Sequence, residues 1–391
     1  MKILFLNWNG YGNSDIIEAF NRMSLEGKDI SLLVCPFDAH TARDDEAFIT
    51  SFRERIKKDS PDLVFSYNYF PAVSVACQKE GIKYASWVYD SPAVVLYSYT
   101  LINSCNSVFL FDSQMYETFA SQGIKTVHYL PLAAPIRRYD GIEVSDEEKR
   151  KWGGKVSFVG GLYNDRGNFY DRIRDKISDY SRGYAEGLMR AQMEIDGLDI
   201  VESSLIKPVL EDMVNALELR PNADGVESYE YLYSNYVLDR KITSMERCEI
   251  LAMMGEKYPV NLYTNDSSFA AKGVDNRGMI DYYDEMPYVF KASDINLNIT
   301  LRSIQRGIPL RAMDIMGCGG FLLSNYQEDM LRFFTPGEDF IYYESRQDLM
   351  DKAGYYLEHE DERKKISESA LKKMRDGHTL EQRLEEIMDL I

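Results

Sequence analysis

The sequence lacks any apolar run near the roughly 18 residues that a membrane-spanning helix needs, so no span is expected in it. Met1-Lys-Ile-Leu-Phe-Leu6 is too short for a signal-peptide core. Basic residues are outnumbered: 45 Lys and Arg stand against 63 Asp and Glu, a formal net charge of −18. Neutralising duplex phosphates needs a basic surface, so nucleic acid is not expected as a partner. The charge reads as an ordinary acidic surface. Cysteine is scarce, and Cys35, Cys77, Cys105, Cys248 and Cys318 fall without metal-ligand spacing. That usage points to reduced, mostly buried thiols and a cytoplasmic setting. No Asp-x-Asp follows an expected strand, and no His/Cys cluster has ligand spacing. Neither a metal nor a resident cofactor is therefore expected. A Walker loop and a lipase-type Gly-x-Ser-x-Gly are also missing.

What is present is a repeated strand–helix alternation. A length of 391 residues suggests two or three domains, and 45% hydrophobic residues are enough for full cores. Lys2–Leu6, Ile30–Val34, Leu63–Ser66, Tyr84–Val88, Ser107–Phe111 and Thr126–Leu130 read as strands, with helical periodicity between most of them. Such alternation implies a parallel sheet covered by helices. The turn Asn9-Gly-Tyr-Gly-Asn-Ser-Asp15 does not match Gly-x-Gly-x-x-Gly. Its Gly10 and Gly12 are read instead as leaving room for an acceptor molecule. Pro131 to Lys151 reads as a linker. A second alternation begins at Lys155–Val159 and resumes at Val260–Tyr263, Gly278–Ile280, Ile295–Ile299, Phe321–Ser324 and Phe340–Tyr343. Between its first two strands lies a charged, mostly helical stretch, residues 169–251, too long for one crossover helix. The expected organisation is a first Rossmann-like domain over 1–140, a second over 152–375 with that insertion, and a C-terminal helix over 376–391.

The most informative segment is Ser303-Ile-Gln-Arg-Gly-Ile-Pro-Leu-Arg-Ala-Met-Asp314, continuing through Cys318-Gly-Gly320 to Phe321-Leu-Leu-Ser324. It reads as a loop, a short buried helix and a buried strand built around an anion. Gly307 permits a close backbone approach. Pro309 suits the first helical position. Free N–H groups at such a helix start favour phosphate, and Arg302, Arg306 and Arg311 surround the same point. Asp314, one turn in, is placed to accept hydrogen bonds from sugar hydroxyls, or else to pair with Arg311 or Arg302.

This pattern resembles the nucleotide-sugar site of GT-B glycosyltransferases, which carry an acid, seven residues, a second acid and a small-residue turn into a strand. Asp314 falls at the second acid. The first acid position holds Arg306, a departure that suits phosphate better than sugar. Asn296-Leu-Asn-Ile-Thr300, Gly307-Ile-Pro-Leu-Arg-Ala-Met-Asp314 and Gly319-Gly-Phe-Leu-Leu-Ser324 are similar to the spore-maturation CgeB-like branch, most specifically over residues 278–345. The resemblance implies an α/β GT-B fold, two Rossmann-like domains facing a central cleft, with ligands at strand carboxyl ends. It implies a metal-independent hexosyl transfer from a UDP- or GDP-sugar, as co-substrate, to a hydroxyl on an unknown glycan, protein or small-molecule acceptor. Gly160, Gly161 and Arg166 would hold the diphosphate with Gly307 and the N–H groups of Ile308 and Leu310. Asp314 would hold the ribose. Gly278 and Ile280 would read the base through their backbones, with Tyr282 or Tyr283 stacking on it.

An inverting member needs a base from the first domain. Trp87-Val-Tyr-Asp-Ser-Pro92 sets Asp90 just past a strand, and Asp15 is the second candidate. The plain alternative is that Asp90 caps a helix. A retaining enzyme needs no such base. Two other functions fit the same residues: a GT-B nucleotide-sugar epimerase, or a binding protein without activity.

Overall fold

Two parallel six-stranded sheets organise the computed structural model of this chain, which describes residues 1–164 and 167–391. The chain divides into two compact units. The first comprises Met1–Ala133 with Pro221–Glu227 and His378–Ile391; the second comprises Ala134–Arg220 and Ser228–Gly377.

The first unit holds β1 (Lys2–Asn7), β2 (Ser31–Pro36), β3 (Leu63–Tyr67), β4 (Lys83–Val88), β5 (Asn106–Leu110) and β6 (Val127–Tyr129). Their order is β2-β1-β3-β4-β5-β6, with every pairing parallel. Central strands such as Ile3–Leu6 and Leu63–Phe65 are buried on both faces, as a helix-covered parallel sheet requires. Strand order reverses between β1 and β3, both neighbours in space of the chain's first turn. Two distant segments complete the unit. Residues 221–227 return to it, where the Tyr99 N–H donates to the Asp224 carbonyl and the Val226 N–H to the Tyr97 carbonyl, both at 2.9 Å. The closing helix Leu380–Leu390 is started by a Thr379–Gln382 capping box and tied on by Arg22–Glu381 at 2.9 Å.

The second unit holds β7 (Gly154–Val159), β8 (Val260–Tyr263), β9 (Val274–Asn276), β10 (Ser293–Asn298), β11 (Leu322–Asn325) and β12 (Ile341–Tyr343), ordered β12-β11-β10-β7-β8-β9. Here the order reverses between β7 and β10. The stretch from 169 to 257 is helical, from Phe169–Ile173 to the long helix Asp239–Lys257. Two local expectations need correction. Gly278–Ile280 is not a strand: β9 ends at Asn276, and Gly278 then turns the chain away with φ +78°, a left-handed backbone that glycine adopts freely. Pro309 is the N-cap rather than the first helical residue, since its ψ of 148° is extended and the helix runs Leu310–Gly317. Among the described residues, no helix is long and apolar enough to cross a membrane.

Candidate functional site

Open α/β sheets bind ligands beyond the strand carboxyl ends where strand order reverses. In the second unit that place lies past β7 and β10, and two guanidiniums occupy it, Arg247 buried and Arg311 half-buried. Arg247, in the helix Asp239–Lys257, donates through Nε and Nη2 to the Ile299 carbonyl at 3.0 and 2.6 Å, and through Nη1 to the Gly161 carbonyl at 2.5 Å. Arg311, in the first turn of Leu310–Gly317, donates to Asn298 Oδ1 at 3.0 Å and to the Ile299 carbonyl at 3.5 Å. Both lie over the Phe158 ring, at 5.4 and 4.8 Å from its centroid. Arg247 and Arg240 also face the Tyr163 ring, at 5.0 and 4.7 Å. A Cβ on Gly160 would displace the Arg311 guanidinium, and Gly160 has a φ of +155° that L side chains rarely adopt.

Positive charge dominates this cluster, tempered by Glu246 near Arg247 and Asp314 near Arg311. Arg247 is 2% exposed, and it donates to the neutral carbonyls of Gly161 and Ile299. Burial pushes its guanidinium below the usual range. Burial, and then the like charge of Arg247, push Arg311 down to about 9. Arg311 also stands in the first turn of a helix, where the backbone dipole disfavours a cation. The first intrahelical bond is donated by Ala312 to the Pro309 carbonyl at 2.9 Å, so the N–H groups of Leu310 and Arg311 precede the ladder. Two cations and a helix start converge at one place. An anion relieves all three.

Asp314 lies one turn further along the same helix and is 2% exposed. Tyr139 donates its hydroxyl to Oδ1 at 2.7 Å and Tyr282 donates to the same oxygen at 3.4 Å. Burial and the Asp314 charge keep the Tyr139 hydroxyl well above its usual pKa, hence protonated. Arg138 lies 4.7, 5.3 and 5.2 Å from the ring centroids of Tyr139, Tyr282 and Tyr283 and donates to the Tyr283 carbonyl at 3.0 Å. Tyrosine hydroxyls thus meet the acid directly, and its charge also acts on Arg311.

The remaining expected donor residues are distributed unevenly. Gly160 and Gly161 follow β7 and frame the arginine pair. Arg166 lies outside the described residues. Gly307 and Ile308 are buried beside the helix start. Leu310 opens the helix and is half-buried. Gly278 already uses both backbone groups: its N–H donates to Asn276 Oδ1 at 3.2 Å and its carbonyl accepts from the Thr264 N–H at 3.0 Å. Ile280 is half-buried two residues on. Arg302 turns the other way, against the expectation of a phosphate ligand. Its Nε and Nη2 meet the Glu246 carboxylate, and its Nη1 meets Asp196 Oδ1 and the Ile195 carbonyl, both at 2.9 Å. Arg306 pairs with Glu328 at 3.2 Å.

In the first unit, Asp90 follows β4 and Asn68 follows the neighbouring β3. Asn68 Nδ2 donates to Asp90 Oδ2 at 2.7 Å. Asp90 is exposed as a residue; protein around its carboxyl group raises its pKa above the usual range, with Asn68 pulling the other way. Asp15, by contrast, is 4% exposed, inside the first turn of the helix Asn13–Leu25. Gly10 makes room for the chain itself: a Cβ there would overlap the Trp8 ring, which is anchored by Nε1 to the Tyr67 carbonyl at 2.7 Å.

Residues 245–389, which include Arg247, Gly307, Arg311 and Asp314, match the family model described as Glycosyl transferase-like. No curated protein matches the chain. Solved structures match its full length. A glycosyltransferase from Rickettsia africae is 11% identical with a TM-score of 0.54, covering 100% of this chain and 97% of that one. The Anabaena protein HepE, solved with UDP-glucose, is 11% identical with a TM-score of 0.57, covering 100% and 99%. WaaG, a glycosyltransferase involved in lipopolysaccharide biosynthesis, is 10% identical with a TM-score of 0.54, covering 100% and 99%.

The fold is GT-B. Within this GT-B chain, the residues absent from the sequence reading are Arg247, Tyr139 and Arg138. Arg247 meets Gly161 across 86 positions and Ile299 across 52, from a helix whose charged spacing looks like solvent exposure. Tyr139 and Arg138 sit in a segment with the composition of a linker. A Cβ on Gly317 would crowd Ala134 and Ile136, which shows that segment packed onto the GT-B helix Leu310–Gly317.

Proposed function

We propose that this chain is a glycosyltransferase that moves a hexosyl group from a nucleoside-diphosphate sugar to an acceptor hydroxyl without a metal ion. The observation that carries the reading is the Arg247–Arg311 pair, one buried and one half-buried guanidinium that form no ion pair among the described residues, set at a helix start beyond β7 and β10. A nucleoside diphosphate supplies the charge that such a place calls for. During transfer the bond from the anomeric carbon to the diphosphate oxygen breaks, and negative charge grows on that oxygen. Arg247, Arg311 and the Leu310 and Arg311 N–H groups are the donors assigned to that charge, in the role a divalent cation otherwise fills. Asp314 takes ribose hydroxyls, Tyr282 borders the nucleoside, and Arg166 adds a phosphate contact. The acceptor oxygen bonds to the anomeric carbon as its proton passes to Asp90, with inversion.

UDP-linked donors come before GDP-linked ones because HepE, of similar fold, was solved with UDP-glucose. Membership of the CgeB-like branch and a cytoplasmic setting are part of the same proposal, supported by the Gly307–Asp314 motif and the cysteine usage. The test is release of nucleotide from a panel of UDP- and GDP-sugars, with excess EDTA present. Turnover of at least one donor, undiminished by EDTA, is expected. Turnover restored only by added Mg²⁺ or Mn²⁺ contradicts the metal-free part. No turnover and no binding of any donor contradicts the whole reading.

A further inference from the structure

We propose that Asn68 is a positioning residue that fixes the orientation and ionisation of the Asp90 carboxylate. The inference rests on the reading of Asp90 as general base. Asn68 is 9% exposed and has φ +72°, a left-handed backbone that few residues other than glycine adopt. Glycine would meet that backbone requirement alone. The side chain does something glycine cannot. Its Oδ1 accepts the N–H of Tyr89 at 3.0 Å and the N–H of Asp90 at 3.3 Å. Two N–H donors on one atom settle which end of the amide is oxygen. The NH₂ end then faces Asp90 Oδ2 at 2.7 Å and acts only as a donor toward it.

The backbone of Asn68 is fixed as firmly as its side chain. Its N–H donates to the Trp87 carbonyl at 2.8 Å. Its carbonyl accepts the Ser66 hydroxyl at 2.6 Å, and Ser66 in turn meets the Tyr84 hydroxyl at 2.7 Å. Trp87, Ser66 and Tyr84 all lie on β3 or β4. Asn68 therefore clamps the exits of two neighbouring strands and presents one N–H to one carboxylate oxygen. The other oxygen, Oδ1, is left as the proton acceptor. The two influences on Asp90 oppose each other: displaced solvent favours the neutral acid, and the Asn68 donor favours the carboxylate. A base works best with its pKa brought toward the working pH while staying ionised.

The experiment is a carbon-13 NMR titration of the Asp90 carboxyl, assigned as the signal lost in Asp90→Asn, in wild type, Asn68→Gly and Asn68→Asp. Asn68→Gly keeps the left-handed backbone and removes the amide; Asn68→Asp keeps the shape, removes the donor and sets a second carboxylate beside Asp90. The Asp90 midpoint is expected to rise by about one pH unit in Asn68→Gly, from loss of the donor alone, and by more in Asn68→Asp, where like charge adds to it. An unchanged midpoint in a folded variant overturns the proposal. Nucleotide release from UDP-glucose across pH separates the two layers. If the acid limb moves with the NMR midpoint, both stand. If the midpoint moves and the pH profile does not, Asn68 still sets the state of Asp90, and it is the base assignment that fails.

Discussion

Arg247 and Arg311 share one acceptor, the carbonyl of Ile299. Two like charges converge on a neutral oxygen just past β10, beside the glycine pair that ends β7. A protein selected only for stability has little reason to keep this arrangement, since exchanging a buried ionic group for an apolar one of similar volume is often neutral or stabilising.

Arg311→Met is therefore expected to leave the ligand-free protein as stable as wild type or slightly more so. Denaturant unfolding of both measures this. A loss of several kcal/mol would mean that Arg311 holds the fold rather than a ligand.

Arg302 is expected to behave oppositely. Breaking its buried pair with Glu246 leaves an uncompensated carboxylate, a change of about 3–5 kcal/mol. Arg302→Met should lose stability on that order, while the folded fraction keeps its nucleotide affinity. Preserved stability with weakened affinity would return Arg302 to the phosphate site.

Asp314 and Tyr139 are expected to be coupled. Asp314→Asn should weaken UDP binding and leave pyrophosphate binding unchanged, because only UDP carries a ribose. Tyr139→Phe, which removes the 2.7 Å donor, should show a coupling energy with Asp314→Asn of about 0.5–3 kcal/mol in a double-mutant cycle of unfolding. Equal losses for UDP and pyrophosphate would make the acid structural.

Asp90→Asn should lower transfer by about 10²–10⁴ with donor affinity nearly unchanged. Its stability should carry a pH signature. The folded Asp90 carboxyl titrates above its unfolded value, so wild type loses stability as pH rises through the folded midpoint. The variant does not, and it should match or exceed wild type near neutral pH and lose that advantage below both midpoints. Melting temperatures from pH 3 to 8 test this. Asp90 does not cap the next helix, whose N-cap is Ala93 with no side-chain bond, so a variant that is less stable at every pH points to a structural role for the Asn68–Asp90 contact instead.

The sheets were legible in the sequence because parallel strands covered on both faces leave continuous apolar runs bounded by turns, as at Leu63–Tyr67 and Val260–Tyr263. Gly278–Ile280 misled for the same reason: two apolar residues beside a glycine imitate a strand, while the left-handed turn there is set by backbone geometry. The helix start at Leu310 and its acid at Asp314 were legible because their spacing is local. Arg247 was not, since its partners Gly161 and Ile299 are distant in sequence and its helix carries many charges of the ordinary exposed kind. Arg302 stood among the expected phosphate ligands because sequence shows its nearness to Gly307 and not the carboxylates of Glu246 and Asp196, which fold in from the helical stretch.

The most direct measurement is a calorimetric titration of UDP, pyrophosphate and uridine into wild type and Arg311→Met. Wild type should bind UDP and pyrophosphate, with uridine far weaker than UDP. Arg311→Met should bind both diphosphates more weakly by about 1.5–3 kcal/mol, the range for a hydrogen bond to a charged group. Equal affinities of the two proteins for UDP and for pyrophosphate would contradict the assignment of the Arg247–Arg311 pair to the donor diphosphate.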